Sequence, residues 1–425
     1  LAAADVPILE RHVVGGEKLP HAAALLSGGS PGVGVQRVDD DGLGHGRHST
    51  EVPGADTTIR RVDVFGVRYT QRGSFALSGG RGASEQDATV VRVETEGGIV
   101  GYGEQCVFTP SFLPGYAPSS RAALEPLARA LVGLDACRVE VAAARMDAVL
   151  SGYRYAKSAL DIALWDVFGK ATGLRVADLL GGARTEEVQL YSGVGIAPLD
   201  ESVARCAELV AAGFRQAQVK VGTGSVREDV ERIERLVDAL AGVELVIVDA
   251  NGYWPQADAV RVVAALDGLD VLVEQPCASV VECARVRERT RRPVVLDEVL
   301  TGAREIADAH ALGALDAVRL KLANVGGITP VRRARDAAVA LGLPLTVEDS
   351  GGGDVVSTAA LHVACSTDPR FLLGGYLPSD MVEERLAPEA PRAEGGVARL
   401  PAGPGLGLTV DEAALGEPLL RVESP

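Results

Sequence analysis

Five ionisable residues, Lys220, Asp249, Glu274, Asp297 and Lys321, each close a short apolar run, and successive members stand 23–29 residues apart. Three carboxylates held side by side would repel one another if left bare. A hard divalent cation relieves that repulsion, and all-oxygen ligation with room for water and substrate suits one Mg²⁺ ion on Asp249, Glu274 and Asp297. Lys220 and Lys321 flank this arc, so they are expected to approach a metal-held substrate from opposite faces. A lysine whose pKa is lowered by a nearby cation and a partly desolvated pocket can act as a base. The metal, as a Lewis acid, would hold a substrate carboxylate and stabilise the enolate formed on proton loss. The chemistry to expect is abstraction of the proton next to a carboxylate. Two blander readings compete: the acids are separate surface charges, or the lysines simply pair with them. A histidine base is not expected, because none of the six histidines (12, 21, 45, 48, 310 and 362) ends one of these runs.

Register is supplied by the elements around these residues. From position 188 onward, short apolar strands alternate with longer helices. The strands are predicted at 188–192, 216–221, 244–249, 271–274, 294–297, 316–321 and 344–347, with a faint eighth near 371–373. The helices are predicted at 200–211, 227–240, 256–267, 279–288, 303–310, 329–341 and 356–364. Alternating βα units of this kind predict a parallel sheet with helical crossovers, and this number of them predicts a closed (β/α)7β TIM-type barrel. All five residues then fall on the C-terminal rim, where barrel active sites form. Before the barrel, strands at 58–70, 88–95 and 99–103 and helices at 119–132, 138–150 and 155–171 predict an N-terminal α+β capping domain over 58–186. The barrel is assigned to 187–375, and 376–425 is expected to return to the cap. Residues 1–57 lack aromatics and sustained periodicity, so they read as a disordered tail or a mis-assigned start.

The composition narrows the functional classes. The chain has 425 residues, 47% hydrophobic and 24% charged, with a formal net charge of −16. That acidic balance argues against nucleic-acid or acidic-membrane partners. No apolar run approaches a membrane span, and the stretch at 22–26 is too short for a signal peptide. Six cysteines without a CxxC pair fit reduced thiols and a cytoplasmic location. Cys277 follows a proposed ligand strand but has no Cys/His companions for a zinc site.

The motifs around the five residues resemble those of the enolase superfamily, in its muconate-lactonizing and mandelate-racemase-like branches. They are Val248-Asp249-Ala250-Asn251, Glu274-Gln275-Pro276, Leu296-Asp297-Glu298 and Lys321 followed by Val325-Gly326-Gly327-Ile328-Thr329. The run from Tyr155 to Asp166 is similar to the helix that precedes the barrel in these enzymes. Four further motifs, Gln218–Gly222, Ala144–Asp147, Glu274–Cys277 and Pro404–Gly407, resemble dehydratases of cis-3-hydroxy-L-proline and racemases or epimerases of proline betaines. The resemblance implies one Mg²⁺ per subunit, a small-molecule carboxylate substrate and a homo-oligomer. Two positions depart from the pattern. Gln218 stands where many members have lysine, and it either hydrogen-bonds Lys220 or lines the lower core. Gly351 stands where the proline-type relatives carry Trp, and the glycine run 351–353 is either a flexible gate or a tight turn. Asp349 and Asp354 are candidate ammonium ligands, with helix capping as the alternative for Asp354.

Two opposed lysines serve dehydration or racemisation equally. In cis-3-hydroxyproline the hydroxyl and the α-hydrogen lie on opposite ring faces, which suits an anti elimination between two lysines. Dehydration of such an amino acid is therefore the leading expectation, with a racemase or epimerase as the alternative. Acid-sugar dehydration, N-acylamino-acid racemisation and lactonisation follow, and a catalytically inactive metal-binding homologue is the non-enzyme reading. Substrate contacts are expected from Gln218, Tyr191, Asn251, Asp349 and Gly351, and from the cap segments 71–87 and 108–116.

Overall fold

The computed structural model describes residues 55–73 and 75–424. The tail expected at 1–57 lies outside them except for its last three positions. The cap begins with strands β1 (Ile59–Thr70), β2 (Glu85–Thr95) and β3 (Val100–Val107). Helices α1 (Ala117–Leu131), α2 (Val139–Val149), α3 (Arg154–Thr172) and the short α4 (Val176–Leu179) follow. A connecting strand β4 (Glu187–Gln189) leads into eight parallel strands. These are β5 (Tyr191–Val194), β6 (Gln216–Lys220), β7 (Leu245–Asp249), β8 (Leu272–Glu274), β9 (Val294–Leu296), β10 (Ala317–Lys321), β11 (Leu345–Glu348) and β12 (Leu372–Gly375). Their crossovers are α5 (Leu199–Ala211), α6 (Val226–Ala239), α7 (Gln256–Ala265), α8 (Val280–Arg287) and α9 (Ala303–Ala311). The short α10 (Leu322–Val325), α11 (Ile328–Ala340) and α12 (Asp354–Cys365) complete the set. The chain ends with β13 (Val397–Arg399), α13 (Glu412–Leu415) and β14 (Leu420–Glu423).

Strands β5 to β12 pair in sequence order, and a parallel bridge between Leu190 and Gly375 brings the two ends together. The architecture is a (β/α)7β barrel with an α+β cap. Local chemistry starts the helices: Ser225 with Glu228, and Ser279 with Glu282, form capping boxes at α6 and α8.

Two details differ from the sequence reading. The strand expected at 188–192 is two elements: β4 pairs antiparallel with β13, and the chain enters the barrel only after Leu190, whose N–H bonds Gly396 O. Tyr191 therefore begins the first barrel strand and does not end it. The cap sheet also has four strands, because β14 adds to the edge of β1.

Helix α3 fastens the cap to the barrel. Its small residues meet glycines on β3; a Cβ on Gly103 would lie 1.8 Å from Ala159 O, so only glycine permits this approach. Asp161 accepts the Thr329 N–H (2.8 Å) at the start of α11, and Trp165 Nε1 donates to Thr329 Oγ1 (2.9 Å). Asp166 accepts the N–H groups of Tyr102 and Leu406, tying α3 to β3 and to the C-terminal segment. The motif read from Tyr155 to Asp166 is thus a fastener that fixes the cap over the barrel rim.

Candidate active site

Parallel register places Lys220 beside Asp249 and Asp249 beside Glu274, while Lys321 pairs with Glu348 on the next strand. Asp297 follows directly after β9. The five residues expected to act together are at most 5% exposed. Each of the three acids is paired with a cation, and Glu274 shares its cation with Glu348. Lys220 Nζ donates to Asp249 Oδ2 (2.5 Å), Lys321 Nζ to Asp297 Oδ2, and Arg319 Nη2 to Glu274 Oε2 (2.6 Å). Drawn apart in this way, no three His, Cys, Asp or Glu side chains among the described residues stand in ready metal-ligating geometry. The donor set nevertheless fits a hard cation. Glu274 Oε1 and Asp297 Oδ1 are buried without any hydrogen-bond partner, and every available donor is a carboxylate oxygen.

The pKa shifts record the same crowding. Burial pushes the Glu274 carboxyl well up, and the charges of Asp249 and Asp297 add to it against the pull of Arg319. Burial also opposes ionisation of Asp249, yet the ammonium of Lys220 and its hydrogen bond hold it below the usual carboxylate range. For Lys321, burial favours the neutral amine, but Asp297, Glu298, Glu348 and Glu274 outweigh it and raise the pKa. For Lys321 the side chains alone therefore act against the expected lowering.

A space of about 540 Å³ separates rim from cap. Lys220, Lys321, Gln218, Tyr191, Glu348, Asp349, Ser350 and Tyr376 line it from the barrel. Gln71, Phe75, Leu77, Gln86, Phe108 and Phe112 line it from the cap, so both expected cap segments contribute. Gln218 is neither a lysine partner nor a passive filler: its Nε2 donates to Asp249 Oδ2 (3.1 Å) and Glu274 Oε2 (2.8 Å), bridging two of the acids. Tyr191 donates to Glu348 Oε2 (2.8 Å) and stacks on Tyr376 with ring centroids 5.3 Å apart. Asp349 accepts the N–H groups of Ala323 and Ser350, and burial pushes its pKa up to about 7.

Asn251 and Gly351 do not line the cavity. Asn251 Nδ2 is occupied by Asp249 Oδ2 (2.9 Å) and Glu298 Oε1 (3.0 Å), and its backbone N–H also holds Asp249. Gly351 lies behind Gln86 and Phe108, and a Cβ there would stand 2.7 Å from Gln86 Oε1. Asp354 is not a helix cap or a cavity residue. It anchors the C-terminal segment by accepting from Arg385, Leu386 N and Ala387 N.

Arg319 was not singled out in the sequence, whereas Phe112 lies in the expected cap segment 108–116 and Gln275 in the Glu274-Gln275-Pro276 motif. Arg319 joins Glu274 and Glu348 beneath the rim, and its guanidinium lies 4.7 Å from the Tyr191 ring centroid. Its position two residues before Lys321 gives it the same inward parity, as Gln218 has before Lys220. Phe112 lies over Lys321, with Nζ 5.3 Å from the ring centroid. Gln275 Oε1 accepts the Asp297 N–H (2.9 Å) and links two acid-bearing strand ends. Gln275 and Asn251, at φ 36° and 44°, hold left-handed backbone beside the carboxylates, where such strain often accompanies function.

Comparison with known proteins places this geometry. Residues 59–181 match the mandelate racemase/muconate lactonizing enzyme N-terminal domain, and residues 201–414 match the enolase C-terminal domain-like family. The chain is 37% identical over 364 residues to cis-3-hydroxy-L-proline dehydratase of Roseibium aggregatum, covering 85% of this chain and 99% of that protein. It is 30% identical to N-succinyl-L-Arg/Lys racemase of Bacillus cereus, covering 72% of this chain and 84% of the relative. A mandelate racemase/muconate lactonizing enzyme from Roseovarius nubinhibens ISM, crystallised with magnesium, superposes with a TM-score of 0.83. It shares 35% identity, over 86% of this chain and all of the other. The chain therefore belongs to the enolase superfamily and is an enzyme of its mandelate racemase/muconate lactonizing group.

Proposed function

We propose that this enzyme abstracts the α-proton of an amino-acid carboxylate with Mg²⁺ held by Asp249, Glu274 and Asp297, and that the reaction is dehydration of a hydroxylated proline-type amino acid, cis-3-hydroxy-L-proline being the leading candidate. The observation that carries the reading is the placement of Lys220 and Lys321. They reach one cavity from β6 and β10, on opposite flanks of the acid arc. When bound, the cation would draw electron density from the substrate carboxylate and so acidify the neighbouring C–H.

The rest falls to the chain's own residues. One lysine, as the free amine, takes the α-proton. The C–H electron pair forms the double bond to the β-carbon while the β C–O bond breaks. The other lysine, as ammonium, gives its proton to the departing hydroxyl, which leaves as water. The resulting enamine tautomerises to a cyclic imine. Gln218 and Asn251 hold the carboxylates in position, and the aromatic cap residues exclude water.

Charge supports a small zwitterion as substrate. Among the described residues lining the cavity, Lys220 and Lys321 are the only cations, while Glu348 and Asp349 can face an ammonium group. Nothing there would neutralise a second substrate carboxylate, as an N-succinyl amino acid would require. The same two lysines favour one second reading, racemisation or epimerisation of a proline or amino-acid derivative, in which the second lysine reprotonates carbon from the opposite face. Incubation with cis-3-hydroxy-L-proline and Mg²⁺ separates the two. Cyclic imine formation is expected; racemised proline derivatives without imine would reject dehydration.

A further inference from the structure

We infer that Gln71, from the cap, is a specificity-determining residue that donates a hydrogen bond to the hydroxyl oxygen of the substrate. The inference rests on the reading of a hydroxylated amino acid given above and deepens it. A carboxamide can be turned end for end, so its partners decide which end faces where. Here a chain of partners leaves one choice. The backbone N–H of Gly352 donates to Gln86 Oε1 (2.9 Å), and the Cys106 thiol donates to the same oxygen (3.4 Å). A backbone N–H can only donate, so the oxygen of Gln86 must face it. Gln86 then has Nε2 left to offer, and it donates to Gln71 Oε1 (2.7 Å). That bond turns the Nε2 end of Gln71 outward. Gln71 lines the cavity, and among the described residues its amide nitrogen has no acceptor.

The packing keeps this chain in place. Gln86 and Gln71 are 2% and 6% exposed. The Cβ of any residue other than glycine at 351 would crowd Gln86 Oε1 at 2.7 Å, so this glycine lets the orienting residue sit against the barrel loop. A flipped Gln86 would set N–H against N–H and leave buried donors unpaired. The cavity is thereby given a fixed, uncharged donor on its cap side, with both lysines on its barrel side. A protonated ring nitrogen has no lone pair to accept from it. The substrate carboxylate belongs with the acid arc and its cation. The oxygen that remains on a hydroxylated amino acid is the hydroxyl.

The test compares α-proton removal from cis-3-hydroxy-L-proline, read as dehydration, and from L-proline, read as exchange in deuterated water, with the magnesium-loaded protein. The ratio of kcat/KM values for the two is measured in wild type, Gln71→Met, Gln71→Glu and Gln86→Met, with circular dichroism to verify folding. Gln71→Met should lower the ratio by about tenfold or more, the worth of one hydrogen bond. Gln71→Glu keeps the shape but replaces the donor by an acceptor, and should lower it as far. Gln86→Met should lower it less, because Gln71 loses only its orientation. An unchanged ratio in both Gln71 variants, or equal losses on both substrates, would overturn the inference. Wild-type inactivity on the hydroxylated substrate alone rejects the proposed substrate instead. The ratio is then read on the hydroxylated and deoxy members of whichever amino-acid pair the wild type exchanges.

Discussion

Arg319 is the residue on which the acid arc depends most. It is 1% exposed and bridges Glu274 and Glu348, two carboxylates that are themselves buried. A buried charge that loses its partner costs far more than the pair contributes, because the remaining ion cannot be hydrated. Replacing Arg319 with Met should therefore destabilise the protein by roughly 3–5 kcal/mol, measured by urea denaturation. Arg319→Lys should recover only part of this, since one ammonium cannot reproduce a guanidinium fork between two acids. A loss below about 1 kcal/mol would show that the bridge is not structural. At this scale the sequence made the acids and lysines legible, because each ends a strand and strand ends recur at a fixed interval. Arg319 follows from the same parity, but it lies one layer down, where an inward residue is ordinarily apolar. Gln71 and Gln86 lie in the cap segment 71–87 expected to meet the substrate, but their roles carried no signal: these lie in which end of each amide faces the barrel, and that depends on a glycine loop far away in sequence.

The elements show how cap and barrel are joined. The glycine run 351–353 is buried, with Gly352 N–H on Gln86 Oε1 and Gly353 N–H on Glu104. It is a buried seam where Glu104 of β3 accepts the N–H groups of Gly353, Val355 and Val356, capping α12 from the opposite domain, while Tyr69 donates to Glu104 (2.7 Å). Farther along α12, buried His362 makes a second tie. Its Nδ1 accepts the Ala177 N–H (3.1 Å), and its Nε2 lies 3.1 Å from Leu406 O, the arrangement of a neutral imidazole. Burial lowers its pKa from 6.5 to about 4. The unfolded chain then binds more protons than the folded one between those two values. Stability present above pH 6.5 should fall progressively toward pH 4 by about 3 kcal/mol from this group. His362→Gln should flatten that part of the pH–stability curve, even if it lowers the whole. An equally steep curve in the variant would assign the slope to other groups. Periodicity was enough to place α12 and the barrel strands within a few residues. It was not enough for the split at Leu190 or for β14, because both are decided by pairing with segments more than 200 residues away.

Across the whole molecule, the cap closes a barrel whose rim carries more acid than its own cations comfortably neutralise. Glu274 Oε1, Asp297 Oδ1 and Glu298 Oε2 are buried without hydrogen-bond partners among the described residues, near two lysines that share one cavity. Among the described residues no helix is long and apolar enough to cross a membrane. The C-terminal return through β14 and the fastening by α3 both serve to hold cap side chains against that rim. The proposed mechanism requires both lysines to work at one α-carbon. The most direct measurement is α-proton removal, read as dehydration of cis-3-hydroxy-L-proline and as exchange in deuterated water on a panel of amino acids, with and without Mg²⁺, for wild type, Lys220→Ala and Lys321→Ala. Proton removal in the wild type should require Mg²⁺ and fall at least about 100-fold in each single variant. Proton removal that persists unchanged in both variants would contradict the two-lysine mechanism.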